Sequence, residues 1–188
     1  MSFGETETCL KAIGSLAEDY RNKKMLYIGG EHLVTFPLFS KYHEIYPEIC
    51  MIHLDAHTDL RYSFCNAVYS HATVIYHCAE LIGLNNLHQF GIRSGSAEEF
   101  ELMARNKTLN QFTEESINSV KKRIGTRPVY LTIDLDVFDP AEMPGTGTPE
   151  PGGIRWRDFE TFLKCTAGLN VVAMDVVELS PPFDATKI

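Results

Sequence analysis

Apolar runs and amphipathic stretches alternate along the chain. Residues 5–22 carry Leu10, Ile13, Leu16 and Ala17 at helical spacing, which predicts a helix with one buried face. MLYI (25–28) reads as a short strand closed by Gly29-Gly30. A helix is expected over 33–46, where Pro37 is tolerable only in the first turn, and a second strand over EICMIHLD (48–55). A polar stretch to Tyr69 leads to a helix over 71–82, a strand NLHQFGI (86–92) and a helix AEEFELMARN (97–106). TEESINSVKKRI (113–124) has the start of a helix, with Thr113 as cap and Glu114 and Glu115 in its first turn. PVYLTIDLD (128–136) is a fourth strand, followed by a Pro/Gly-rich loop from Phe138 to Gly153, a helix over 155–167 and a fifth strand NVVAMDVVEL (170–179).

Strands alternating with helices predict βαβ units and a mostly parallel sheet. The strands are apolar on both faces, as a sheet covered by helices on each side requires. The expected class is α/β, a three-layer αβα sandwich, formed as a single domain over 1–188 with no internal repeat or linker. Seventeen basic and twenty-five acidic residues give a net charge of -8 and no basic run, which argues against nucleic acid as a partner. No apolar run approaches the ~18 residues of a membrane span, and the acidic N-terminus lacks the features of a secretory signal. Five scattered cysteines without a CxxC predict no disulfide framework and point to the reducing cytoplasm.

The informative positions are the C-terminal ends of the strands. MLYI is followed by GGEH with His32, and CMIHL by DAHTD with Asp55, His57 and Asp59. PVYLTI runs into DLD with Asp134 and Asp136, and VVAMDVV runs into Glu178. In a parallel sheet these ends line the ligand crevice, so two histidines and five carboxylates are expected on one rim. Residues i and i+2 of an extended chain face the same way, which predicts that Asp134 and Asp136 project together, as do Asp55, His57 and Asp59 if that segment stays extended.

Converging aspartates repel one another and need a cation. Carboxylates with imidazoles suit a divalent metal such as Mn²⁺, and the absence of cysteine from these motifs argues against structural zinc. Four aspartates match the charge of two dications, and such a pair makes a hydroxide nucleophile available at neutral pH. A lone Asp-x-Asp after a strand is most often a turn or a helix cap, and GGEH alone is weaker still. HLDAHTDL is stronger, because ligand types alternate through an apolar strand end.

The set GGEH (29–32), HLDAHTDL (53–60), SHAT (70–73), GIRSG (91–95), TIDLDVFDPAEMPGTGTPEPGG (132–153) and DVVELSP (175–181) closely resembles the ureohydrolase (arginase/agmatinase) family, and within it the bacterial agmatinases. The resemblance covers nearly the whole chain. It implies an arginase-like αβα fold, two Mn²⁺ ions and hydrolysis of a small guanidinium substrate, agmatine to putrescine and urea. It implies that His32 and Asp59 bind one ion, His57 and Asp136 the other, and that Asp55 and Asp134 bridge them. Asp59 would also accept a hydrogen bond from the bridging hydroxide that attacks the guanidinium carbon. His71 would carry a proton to the departing amine, Glu178 would pair with the guanidinium, and Thr148 would touch the same end of the substrate. It further implies a homo-oligomer, trimer or hexamer.

The loop LRYSFCNAVYS (60–70) does not reproduce the arginase pattern, begins Leu60-Arg61 as agmatinases do, and is apolar at its centre. Guanidinobutyrase and arginase activities are therefore the alternatives. Family members are longer at both ends, so the chain reads as truncated, lacking strands and a helix at its ends, and a silent metal-binding fragment is a further alternative. His53 reads as an outer neighbour of the site or as core. His43, His77 and His88 read as surface or core groups. Trp156, Phe159, Phe162 and Leu163 read as helix packing, Cys65 as an exposed thiol, and Asp175 as a buried carboxylate with no assigned role.

Overall fold

Strands β1 (Met25–Ile28), β2 (Cys50–Leu54), β3 (Leu87–Phe90), β4 (Leu109–Asn110), β5 (Pro128–Asp134) and β6 (Asn170–Val177) form one sheet in the order β1-β6-β5-β2-β3-β4. Every pairing between them is parallel. The computed structural model describes residues 3–20 and 23–186. Helices α1 (Phe3–Asp19), α2 (Thr35–Ile45), α3 (Val74–Ile82) and α4 (Ala97–Asn106) pack around one core, with Phe39, Ile75 and Met103. Helices α5 (Glu114–Ile124) and α6 (Trp156–Thr166) cover the other face, around Ile117, Val120 and Phe162. The three-layer expectation holds, with the sheet wholly parallel among the described residues.

Local chemistry sets the helix limits. Thr113 accepts a hydrogen bond from the Ser116 N–H, and α5 closes with Lys121, Lys122 and Arg123 before Gly125. That order places acids at the positive end of the helix and bases at the negative end. Its Ile117, Val120 and Ile124 are buried at spacings of three and four, which fixes the face turned to the sheet. Ser96 and Glu99 form a reciprocal capping box on α4. In α2, Pro37 is the third residue, where its missing N–H has no partner to lose.

Most element ends shift by one to three residues, and three differences go further. The helix expected over 5–22 ends at Asp19, and its positions 21 and 22 lie outside the described residues. β4 was not expected, because Leu109–Asn110 is too short for a pattern; it exists by pairing with Gln89 and Phe90. β5 ends at Asp134 and runs into a 3-10 turn over Leu135–Val137, so Asp134 and Asp136 do not share one extended segment.

The topology positions the site. From β2 the chain continues to β3 and β4 on one side, whereas β5 and β6 lie on the other. The C-terminal ends of β2 and β5 therefore flank the point where the strand order reverses, the usual ligand crevice of such sheets. β1 is an edge strand with alternating burial, and its Leu26 and Ile28 are 53% and 79% exposed.

Candidate functional site

His32, from the turn after β1, is fully buried. Its Nδ1 lies 3.2 Å from carboxylate oxygens of Asp55, Asp59 and Asp134. Its Nε2 lies 3.0 Å from the Thr132 hydroxyl, which also bonds the Asp175 carboxylate. A hydroxyl that donates to Asp175 must accept from His32, so the Nε2 carries the proton. In neutral His32 the Nδ1 lone pair then faces three carboxylate oxygens, and the atom has no hydrogen-bond partner.

A second group forms around His57. Its Nδ1 is 2.9 Å from Asp136 Oδ2 and 3.5 Å from Asp55 Oδ1. Asp55 thus touches both groups. The DAHTD segment does not stay extended, contrary to the alternation argument. His57 bridges Ser94 in parallel, and the chain then turns at Asp59, whose φ is +52°. That turn carries Asp59 to His32 while His57 stays with Asp136. Asp136 is oriented from both sides: its Oδ1 accepts the Ala56 N–H at 3.0 Å, and its own N–H donates to Asp134 Oδ1 at 2.9 Å. At the adjacent end of β3, Gly91 has a φ of +87°, and a Cβ there would lie 2.5 Å from Val137 and 2.9 Å from the Asp55 carbonyl.

Electrostatics show how strongly this cluster draws positive charge. Burial and the Asp55 charge push the Asp134 carboxyl well above its ordinary range, and push Asp59 up as well. Burial opposes protonation of the two histidines, yet the carboxylates overcome it: His32 is raised well above its usual value and His57 is pushed up to about 11. Asp55 is held well below the carboxylate range by His53, His32 and His57, against the effect of its burial.

The donor set therefore fits divalent ions. Oxygen and imidazole donors about 3.2 Å apart around one point match the ~3 Å edge of an octahedral shell with ~2.1 Å bonds. A lone pair facing three carboxylates is stable only with positive charge among them, a proton in the metal-free chain or a bound cation. Two groups of potential ligands share Asp55: His32, His53, Asp55 and Asp59, and Asp55, His57 and Asp136. His53 stands apart on chemical grounds. The Gln89 amide donates to the Thr58 carbonyl and to His53 Nδ1, and its oxygen accepts from Thr108. His53 Nε2 must then carry the proton, which it donates to Asp55 Oδ2 at 2.8 Å. It orients a carboxylate, the kind of outer support that metal sites commonly have.

Both groups open into one cavity of about 400 Å³ that is also lined by Arg61, Phe64, His71, Thr148 and Glu178. His71 Nδ1 lies 3.3 Å from Glu31 Oε1, and this contact raises the His71 pKa. Glu31 also accepts the Leu33 N–H; these bonds lower its pKa despite burial. Glu178 follows β6 with a φ of +62°, and its Oε1 accepts the His32 N–H at 2.6 Å. Burial raises the Glu178 pKa. Thr148 donates to Asp136 Oδ2 at 3.3 Å. Seven of the nine candidate residues thus line one cavity, and His32 and Asp55 lie fully buried against its Asp59, Asp134 and His57. The sequence reading missed Glu31, Thr132, Gln89, Glu99 and Arg93. Glu99 is legible in hindsight, three residues after Ser96 at a helix start. It accepts hydrogen bonds from Thr58 at 2.5 Å and from the Ser96 N–H at 2.7 Å.

Asp175 also acquires a place. Its Oδ2 accepts from Tyr130 at 2.6 Å and from Thr35 at 2.9 Å, so a fully buried network runs from His32 through Thr132 to β6. His77 Nε2 donates to the Val68 carbonyl within an aromatic group, and His88 is buried in β3 away from the cavity. All five cysteines are free thiols, and Cys65 is exposed as expected.

The Arginase family model matches residues 3–188. An agmatinase of Bacillus cereus is 40% identical over 195 residues, covering 98% of this chain and 66% of the relative. That of Bacillus subtilis is 39% identical and covers 100% and 67%. Among solved structures, a candidate agmatinase from Clostridium difficile superposes with a TM-score of 0.92 at 43% identity, covering 100% of this chain and 70% of that one. A proclavaminate amidino hydrolase from Streptomyces clavuligerus gives a TM-score of 0.85 at 30% identity, with 97% and 65% covered. The chain thus spans about two thirds of the length of these relatives. Among the described residues, no helix is long and apolar enough to cross a membrane.

Proposed function

The chain belongs to the arginase family, and on that premise we propose that it hydrolyses the guanidinium group of agmatine to putrescine and urea. The observation that carries the reading is the convergence of two acidic imidazole groups, His71 and Glu178 on one cavity. His32, Asp59, Asp55 and Asp134 would hold one divalent ion, and His57, Asp136 and Asp55 a second, with Asp134 also shared as a bridge. The oxygen-rich donor set favours Mn²⁺. Two such ions would supply a water acidic enough to act as nucleophile at neutral pH.

The chain's own residues do the rest. Glu178 Oε1 is fixed by the His32 N–H, so the carboxylate is set to accept N–H bonds from a guanidinium group in charge-assisted contacts. Thr148, tied to Asp136, borders the same end of the cavity. Asp59, bent inward by its positive φ, would accept a hydrogen bond from the attacking water. The reaction adds the water oxygen to the guanidinium carbon and breaks its bond to the alkyl nitrogen. An unprotonated amine departs poorly. With Nδ1 held by Glu31, His71 Nε2 is the nitrogen left to deliver the proton, and a raised pKa keeps that proton available at neutral pH.

Agmatine is preferred as substrate because curated relatives at 39% and 40% identity bear that activity in their names. Initial rates on agmatine, arginine and 4-guanidinobutanoate test the choice. A kcat/KM highest on agmatine is expected, and a higher value on either other compound overturns it. Cytoplasmic location and a trimeric or hexameric assembly complete the proposal. Exposed Leu26 and Ile28 on the edge strand support association, which light scattering checks.

A further inference from the structure

Arg93 follows β3, and its guanidinium has no carboxylate partner among the described contacts. It faces six backbone carbonyls instead. Nε donates to Pro151 O at 3.1 Å, and Nη1 to Gly91 O at 3.1 Å and Val137 O at 3.3 Å. Nη2 donates to Asp136 O at 2.7 Å, Glu150 O at 2.8 Å and Phe138 O at 3.4 Å. The Arg93 backbone N–H meanwhile donates to Ala56 O at 2.8 Å, inside the DAHTD segment. One residue thus braces both acidic segments and the loop that carries Thr148.

We infer that Arg93 is a positioning residue that presets the Leu135–Val137 turn, so that Asp136 faces His57 before any ion is bound. A strand that ends in a 3-10 turn leaves converging carbonyls without intrinsic partners. Only a planar fork with five N–H donors can satisfy so many at once; a lysine ammonium offers three from one nitrogen. With the Asp136 and Val137 carbonyls held, the peptide planes on either side of Val137 cannot rotate. The Asp136 side chain is then locked by the Ala56 N–H and directed at His57 Nδ1. His32 lies on another segment, and the bond to the segment that carries Asp59 comes from the Arg93 backbone N–H, which a side-chain substitution keeps.

The inference rests on the proposed reading of the site as a two-ion centre. The test is a titration of the metal-free full chain with Mn²⁺, followed by calorimetry, on wild type, Arg93→Lys, His57→Ala and the double variant. Arg93→Lys should weaken one of the two ions by roughly 10- to 100-fold and leave the other unchanged. In the His57→Ala background it should have no further effect. Wild-type affinity for both ions in Arg93→Lys, or equal weakening of both, overturns the role of Arg93 alone. Failure of wild type to take up any ion overturns the two-ion reading and this inference with it.

Should Arg93→Lys not fold, wild type alone still decides. Hydrogen exchange on the metal-free chain should find the Asp136 and Phe138 amides already protected, with little change on adding Mn²⁺. Free exchange that slows only when Mn²⁺ is added overturns a preset turn.

Discussion

Glu31 Oε1 lies 3.3 Å from His71 Nδ1, and the same carboxylate caps the turn that begins with the candidate ligand His32. The pair joins the proposed proton donor to the proposed metal centre through two adjacent residues. Glu31→Gln removes the charge but keeps an acceptor. The His71 pKa should fall toward the ordinary histidine value, and the acidic limb of the pH-rate profile should keep its shape while the basic limb moves to lower pH. NMR titration of the His71 ring checks this directly. An unmoved pKa contradicts the assignment.

His71→Asn should lower kcat by about 100-fold or more, as expected for loss of a general acid. Mn²⁺ uptake should not change, because His71 belongs to neither donor group. A variant with full turnover would show that the amine leaves without it.

Thr132→Val preserves shape and removes one hydroxyl. His32 Nε2 then loses its partner in a fully buried place, and Asp175 loses a donor. The metal-free fold should lose about 1–3 kcal/mol in urea denaturation. Mn²⁺ should bind the His32 group roughly 10- to 100-fold more weakly, since the imidazole is no longer held in its tautomer. An unchanged denaturation midpoint and unchanged affinity would exclude the network as a support.

His88 is only 2% exposed, and neither ring nitrogen has a hydrogen-bond partner. Burial, with Arg123 and Arg127 nearby, lowers its pKa to about 4. The unfolded chain, with an ordinary value near ~6.5, therefore binds more protons between about pH 4 and 6.5. Stability contributed by neutral His88 is present above that window and is lost as pH falls through it, by an amount on the order of 3 kcal/mol. His88→Phe should flatten this loss. Urea midpoints at several pH values should show the wild type losing more stability than the variant as the pH falls from 7.5 to about 4. Identical pH slopes would contradict the account.

Much of this was written in the sequence, and the exceptions have physical reasons. β1 and α4 match the pattern to the residue, because MLYI is closed by two glycines and Ser96 caps its helix with Glu99. Seven of the nine candidate residues stood at strand ends, where the parallel fold must bring them together, whereas His71 and Thr148 were legible only through the resemblance. The extended alternation assumed for Asp134 and Asp136 failed because a 3-10 turn intervenes, and that turn is held by Arg93 from a distant strand. His53 could not be separated from a ligand by sequence, since its tautomer depends on Gln89 and Thr108, 36 and 55 positions away. β4 has two residues and no periodicity; only its neighbour makes it a strand.

The central claim is hydrolysis at a two-ion acidic site. Its most direct test is urea release from agmatine by the purified chain, stripped of metal and then reconstituted with Mn²⁺. The account predicts no urea from the stripped protein and turnover restored by two equivalents of Mn²⁺. Two bound ions with no urea from agmatine, arginine or 4-guanidinobutanoate would contradict it.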